Sequence, residues 1–279
     1  MSKNLLILLE DNTNAEALIE QSKTIVDTQY LKASTGAFID GISHNGIDKL
    51  FLNENHELEN LTYSEIIEKV MRDNPLNDDK IVDSIIDKCS ELNLKIDVIF
   101  NQDIINSNSF EHKSKYNDLF IIGKEAIEKN FKTEDGISKI ENLLIDSKCP
   151  LLILPSKKFD LKNIILLFDG TAESFDAIKL FTYLISNQTK NANVQLIIKT
   201  TPEATKEERL LINYIKTYRL NFSVTRIDPD YYEEELFEML NQFDNFLLVA
   251  GSNRNDVISD LLKKEESYFM QGNRSVFMI

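Results

Sequence analysis

Four short stretches of this sequence set chemically useful residues directly after apolar runs. Glu10 follows Leu5–Leu9, Gly123 follows Leu119–Ile122, Asp169 and Gly170 follow Ile164–Phe168, and Gly251 follows Phe246–Ala250. Such runs read as buried parallel strands, and in an open parallel sheet ligands collect beyond the carboxyl ends of strands, where the chain order reverses. The candidate binding residues therefore lie in Glu10–Asn12, Gly123–Ala126, Asp169–Thr171 and Gly251–Arg254. A carboxylate such as Asp169 can hold a base, a ribose hydroxyl or a metal, and Gly170 permits a tight turn. The competing reading is structural: Asp169 and Thr171 organise the turn and cap the helix that follows.

Other chemistries find less support. The three histidines, His44, His56 and His112, form no recognisable metal-ligand spacing, although His44 and His56 share a polar segment with Glu54, Glu57 and Glu59. No nucleophile elbow, zinc-binding helix or complete Walker loop is present, so no catalytic residue is assigned. Glu233–Glu235 enrich the first turn of a helix, where negative charge favours the exposed amides. Cys89 and Cys149 fit no metal or redox pattern and read as small buried side chains.

The elements that must position these residues occur twice. Placing Lys3-Asn4 over Lys162-Asn163 lays Leu5–Leu9 on the second apolar strand and Glu10 on Asp169. The same offset sets Leu18, Ile19, Ile25 and Val26 on Ala177, Ile178, Leu184 and Ile185, the inner face of a helix. Two copies of one unit explain this register. The first copy is expected to span residues 1–155, with an insertion around 43–75, and the second residues 159–279. In the first copy, strands are expected at Leu5–Leu9, Ala33–Ile39, Lys95–Phe100, Leu119–Ile122 and Pro150–Leu154. In the second, they fall at Ile164–Phe168, Val194–Lys199, Phe222–Ile227, Phe246–Ala250 and Ser275–Ile279. Helical patterns separate them, including Ile137–Ile145, Glu203–Tyr218, Tyr231–Leu240 and a final polar helix or loop in Val257–Phe269. This alternation predicts an α/β fold: two tandem open, mostly parallel five-stranded sheets with helices on both faces.

Composition narrows the partners. Acidic residues outnumber Lys and Arg by 46 to 31, a formal charge of −15, which disfavours phosphate backbones and anionic membranes. Neither a nucleic-acid nor a membrane partner is expected. No apolar run is long enough to cross a bilayer, and no signal-peptide pattern is present at the N-terminus, so a cytoplasmic location is expected.

At KNIILLFDGTAESFDAIKLF, DLFIIGKEA and KCPLLILP, together with the repeated half, the chain resembles the universal stress protein family, in its tandem two-domain form. The resemblance implies an adenine nucleotide alpha hydrolase-like α/β fold. It also implies pairing of the two repeats as an intramolecular pseudo-dimer, with the last strands of the copies meeting along an antiparallel seam. Some family branches bind ATP through an acidic residue after the first strand and a loop reading Gly, two residues, Gly, nine residues, Gly and Ser or Thr. In the first copy Glu10 matches the acidic position, Gly123 and Gly136 match two glycines, Ala126 replaces the second and Ile137 the hydroxyl residue. In the second, Asp169 and Gly251 match, Arg254 stands at the second glycine and Lys264-Glu265 replace the final pair. A phosphate cradle needs close backbone approach and free N–H groups, so both loops read as degraded.

The leading expectation is a non-enzymatic regulatory or binding module with weak or no ATP binding and no resident cofactor. The alternative is a nucleotide-binding stress protein taking ATP with magnesium, with slow hydrolysis. Further self-association and a regulatory protein partner are also expected, the insertion being one candidate surface.

Overall fold

The computed structural model describes residues 3–9, 12–26, 31–37, 87–88, 90–92, 95–100, 114–130, 134–155, 159, 161–185, 189, 191–218, 221–251, 254–261, 263 and 267–279. Glu10, the insertion at 43–75, Cys89 and the three histidines lie outside the described residues.

The first strands and helices are β1 (Lys3–Leu9), α1 (Asn12–Ile25), β2 (Leu31–Ala37), β3 (Lys95–Phe100), β4 (Leu119–Gly123), α2 (Lys124–Asn130), α3 (Glu134–Asp146) and β5 (Leu151–Leu154). They are followed by β6 (Asn163–Phe168), α4 (Ala172–Ile185), β7 (Asn193–Lys199), α5 (Pro202–Thr217), β8 (Phe222–Ile227), α6 (Tyr232–Leu240), β9 (Asn245–Ala250), α7 (Arg254–Leu261) and β10 (Asn273–Met278). The second strand begins two residues earlier than its apolar pattern suggests. Ala126 and Ile127 belong to a helix the periodicity missed, because seven residues with two apolar side chains are too few to register.

The two five-stranded sheets expected in tandem are joined edge to edge into one. Its ten strands run in the order β3-β2-β1-β4-β5-β10-β9-β6-β7-β8. Within each set of five the strands are parallel, and the two sets have the same order about β1 and β6. The sheets merge because β5 and β10 pair antiparallel, with Val276 opposite Ile153, Phe277 opposite Leu152 and Met278 opposite Leu151. Backbone groups that would have formed two edges instead bond each other.

Both faces are covered, which is why the central strands carry unbroken apolar runs, after a leading asparagine in β6 and β9, rather than apolar residues at alternate positions. On one face Leu5, Ile7, Leu152, Leu166, Val249 and Phe277 pack with the inner residues of α1, α4 and α5. On the other, Leu6, Leu8, Ile153, Leu167, Leu248 and Val276 pack with those of α2, α3, α6 and α7. Each core crosses the β5–β10 seam without a break, and α3 packs on α7 beside it. Among the described residues no helix is long and apolar enough to cross a membrane.

Phe277 tests the continuity of the core. It is fully buried, and its ring meets that of Phe181 edge-on at 5.6 Å. Phe277→Ala is expected to lower unfolding free energy in urea by about 3–5 kcal/mol. Leu210→Ala, at a side chain 60% exposed, is expected to change it by less than about 0.5 kcal/mol.

Candidate functional site

The strand order reverses beside β1 and beside β6, so the crevices to inspect lie between β1 and β4 and between β6 and β9, at their carboxyl ends. Asp169, Gly170 and Gly251 converge on the second crevice. Gly123 closes the strand beside the first.

In the second crevice each residue is occupied by the chain itself. The Asp169 Oδ1 accepts hydrogen bonds from the Thr171 backbone N–H at 3.0 Å and the Thr171 hydroxyl at 2.6 Å. Thr171 Oγ1 accepts from the Ser174 N–H at 3.2 Å, satisfying one of the free amides at the start of α4. Thr201 caps α5, its Oγ1 accepting from the Ala204 N–H at 3.0 Å while its hydroxyl donates to the Asp169 carbonyl at 2.8 Å. One hydroxyl thus starts a helix and ties it to the end of β6.

That tie brings the first turn of α5 onto Gly170. The residue has φ +90, and a β-carbon there would lie 2.2 Å from the Ala204 nitrogen. Gly251 is enclosed in the same way by α4, since a β-carbon would lie 2.2 Å from the Glu173 carbonyl oxygen. Close approach of backbone to backbone accounts for both glycines, with no ligand needed.

Asp169 also has electrostatic company. Burial raises the pKa of the Tyr232 phenol, and the negative charge of Asp169 adds to the effect. The Lys199 ammonium lies over the Tyr232 ring, 5.0 Å from its centre. Arg254 is the first residue of α7 rather than part of a loop.

The first crevice is built differently. A β-carbon at Gly123 would meet Glu125 Oε2 at 3.5 Å and Leu18 Cδ2 at 3.8 Å, which are ordinary contacts. Among the described residues, none stands close enough to demand glycine there. The loop expected at Gly123–Ala126 is instead the end of β4 running straight into α2. Ala126 is buried in the core, 4% exposed, and Gly136 lies in the first turn of α3.

Lys124 was not foreseen as important. It is buried, and its Nζ donates across the seam to the backbone carbonyls of Gln271 at 3.4 Å and Gly272 at 3.2 Å. Burial first, and then the Arg274 charge, lower its pKa from 10.5 to about 8 against the opposing pull of Glu128 and Glu125. Only its place after a buried glycine hinted at this. Among the described residues no group of His, Cys, Asp and Glu is arranged to hold a metal ion.

No family model and no curated protein matches the chain. Among solved structures it is similar to a universal stress protein from Archaeoglobus fulgidus DSM 4304, at 13% sequence identity and a TM-score of 0.56. The match covers 98% of this chain and 95% of that one. The fold is therefore universal-stress-like.

Two measurements check this geometry. Gly170→Ala and Gly251→Ala are each expected to lower urea stability by at least about 2 kcal/mol, because the new methyl meets backbone, whereas Gly123→Ala stays within about 1 kcal/mol of the parent. For Lys124, the unfolded chain holds a proton between about pH 8 and 10.5 that the folded chain has released. Stability relative to Lys124→Met should therefore rise with pH through that window, by up to about 3 kcal/mol.

Proposed function

We propose that the chain is a universal-stress-like, non-enzymatic binding or regulatory module, built of two related units joined as a pseudo-dimer and working without ATP. The observation that carries this reading is the closure of the β6–β9 crevice. The backbone of α4 and α5 fills the space beside Gly251 and Gly170, and the Asp169 carboxylate is engaged by Thr171. A phosphate cradle requires open approach to such glycines and unused N–H groups. The one-sided approach of this crevice to a nucleotide site is undone by the caps that anchor its helices.

A second reading rests on Gly123, a glycine that packing among the described residues does not explain. Under it, the first unit alone retains a nucleotide site at the β1–β4 crevice, with Glu10 as the acidic member and magnesium accompanying the phosphates. Ala126 argues against it, since its side chain belongs to the hydrophobic core beneath α2.

Calorimetric titration of the nucleotide-free protein with ATP and magnesium, with ADP and AMP alongside, separates the readings. The module reading expects no saturable heat and a melting temperature unchanged by millimolar ATP. Saturable binding at one site per chain, lost in Gly123→Val and kept in Gly251→Ala, would establish the second reading in its place.

A further inference from the structure

The carboxyl end of the second set of strands is closed, and its opposite end is open. A groove of about 870 Å³ lies over the amino-terminal ends of β6, β7 and β8, within the size range of small-molecule sites. Helix length explains it. On this face α6 buries Tyr232, Leu236 and Leu240 in one cluster with Leu167, Ile197 and Ile227, residues in the later parts of their strands. A nine-residue helix is about 13 Å long, whereas a strand of six residues extends about 20 Å. The first turn's worth of sheet is left without a helix above it.

The uncovered floor is regular. Asn193 pairs beside Asn163, and the β7–β8 register sets Asn221 next to Asn193. Two residues on, Gln195 and Ser223 continue the open floor on the same face, while Ile165 beside Gln195 is already covered by the core. Neighbouring side chains across the floor sit about 4.8 Å apart, the spacing of paired strands. Gln242 and Phe243 complete the lining beside the start of β9.

The chemistry of this lining is unusual for the chain. Of the thirteen described residues that line it, six are carboxamides, Asn163, Asn191, Asn193, Gln195, Asn221 and Gln242, and none of the thirteen is charged. Over the whole chain 28% of residues are charged and the net charge is −15. The carboxamides are partly oriented. Asn163 Nδ2 donates to the Asn245 carbonyl at 3.0 Å, Asn193 Nδ2 to Asn163 Oδ1 at 3.4 Å, and Gln195 Nε2 to Thr225 Oγ1 at 3.1 Å. These bonds leave the oxygens of Asn193 and Gln195 as acceptors. The side-chain amides of Asn191, Asn221 and Gln242 make no hydrogen bond to another described residue, so each keeps both donor and acceptor.

We propose that this groove is a binding site for a neutral, polyhydroxylated ligand of the saccharide class. A hydroxyl both donates and accepts, as a carboxamide does, so a row of carboxamides matches a row of hydroxyls without any change of charge. The half-buried ring of Phe243, which packs on this face of the sheet, supplies apolar surface for the carbon face of a sugar ring. A phosphorylated or carboxylated ligand would meet no cation among the described residues of the lining, and the chain's net charge of −15 opposes it. The site is separate from the nucleotide question, because ATP titration reads the carboxyl ends of the strands and this groove occupies their amino ends.

The test is a titration of the full ¹⁵N-labelled chain with maltotriose and with cellotriose, with glucose 6-phosphate as the charged control, followed through the side-chain amide signals. At least one trisaccharide is expected to shift the signals of Asn193, Asn221 and Gln242 saturably and to bind at least about tenfold tighter than the phosphate ester. Asn193→Ala and Asn221→Ala, both at exposed positions, should each weaken that binding about three- to tenfold with the melting temperature retained. Absence of saturable shifts with both trisaccharides overturns the proposal. So does equal affinity for the phosphate ester, or binding indifferent to both substitutions.

Discussion

The antiparallel pairing of β5 with β10 is the interaction on which the rest of the structure depends. Each strand already pairs with a parallel neighbour on its other side, so without this contact each would be an apolar edge with a full row of unmet backbone groups. The pairing joins two five-strand sets into one sheet and lets both cores continue across the boundary. Leu152 and Phe277 face one core there, and Ile153 and Val276 the other. The helices follow the same logic, with α3 and α7 meeting over the seam and Lys124 reaching across it to the turn before β10. A buried lysine is a costly way to make such a contact, and its lowered pKa records that cost.

The second constraint is the way helices enter the sheet. Thr171 and Thr201 are both N-caps, and both are bonded to Asp169. An acidic residue after a strand can therefore serve the fold rather than a ligand, by fixing where two helices begin. Gly170 and Gly251 then admit those helix starts at backbone distance. The same three residue types that would build a nucleotide site here build a packed joint. At the other end of β6–β8, the short α6 leaves polar positions uncovered, and β6 and β7 begin with asparagine, as Asn221 precedes β8, where an apolar residue would be stranded in water.

Much of the fold was legible in particular residues. The unbroken apolar runs Ile164–Phe168 and Phe246–Ala250 announce strands buried on both faces, and Ala177, Ile178, Phe181, Leu184 and Ile185 repeat at helical spacing because one stripe of α4 must enter the core. Where the reading missed, the cause was physical. α2 carries only two core residues, too few for a period to show, so Gly123–Ala126 looked like a loop. Gly123, Asp169, Gly170 and Gly251 could be placed at or beyond the carboxyl ends of their strands, because strand ends and glycines are local features. Their occupation was not legible, since what stands against Gly170 and Gly251 comes from residues far along the chain or across the crevice.

The amino-acid sequence by itself determined the α/β class, the repeated register and the positions of the strand-end residues, because apolar periodicity and turn chemistry act over a few residues. Only the tertiary structure decided which residues pair where the two sets of strands join, that helix starts stand against Gly170 and Gly251 at the β6–β9 crevice, and that six carboxamides gather in one groove. Each of these depends on which distant segments meet. Hydrogen-bond pairing between strands, close backbone approach and the reach of a covering helix are settled by packing in three dimensions, which local sequence pattern does not encode.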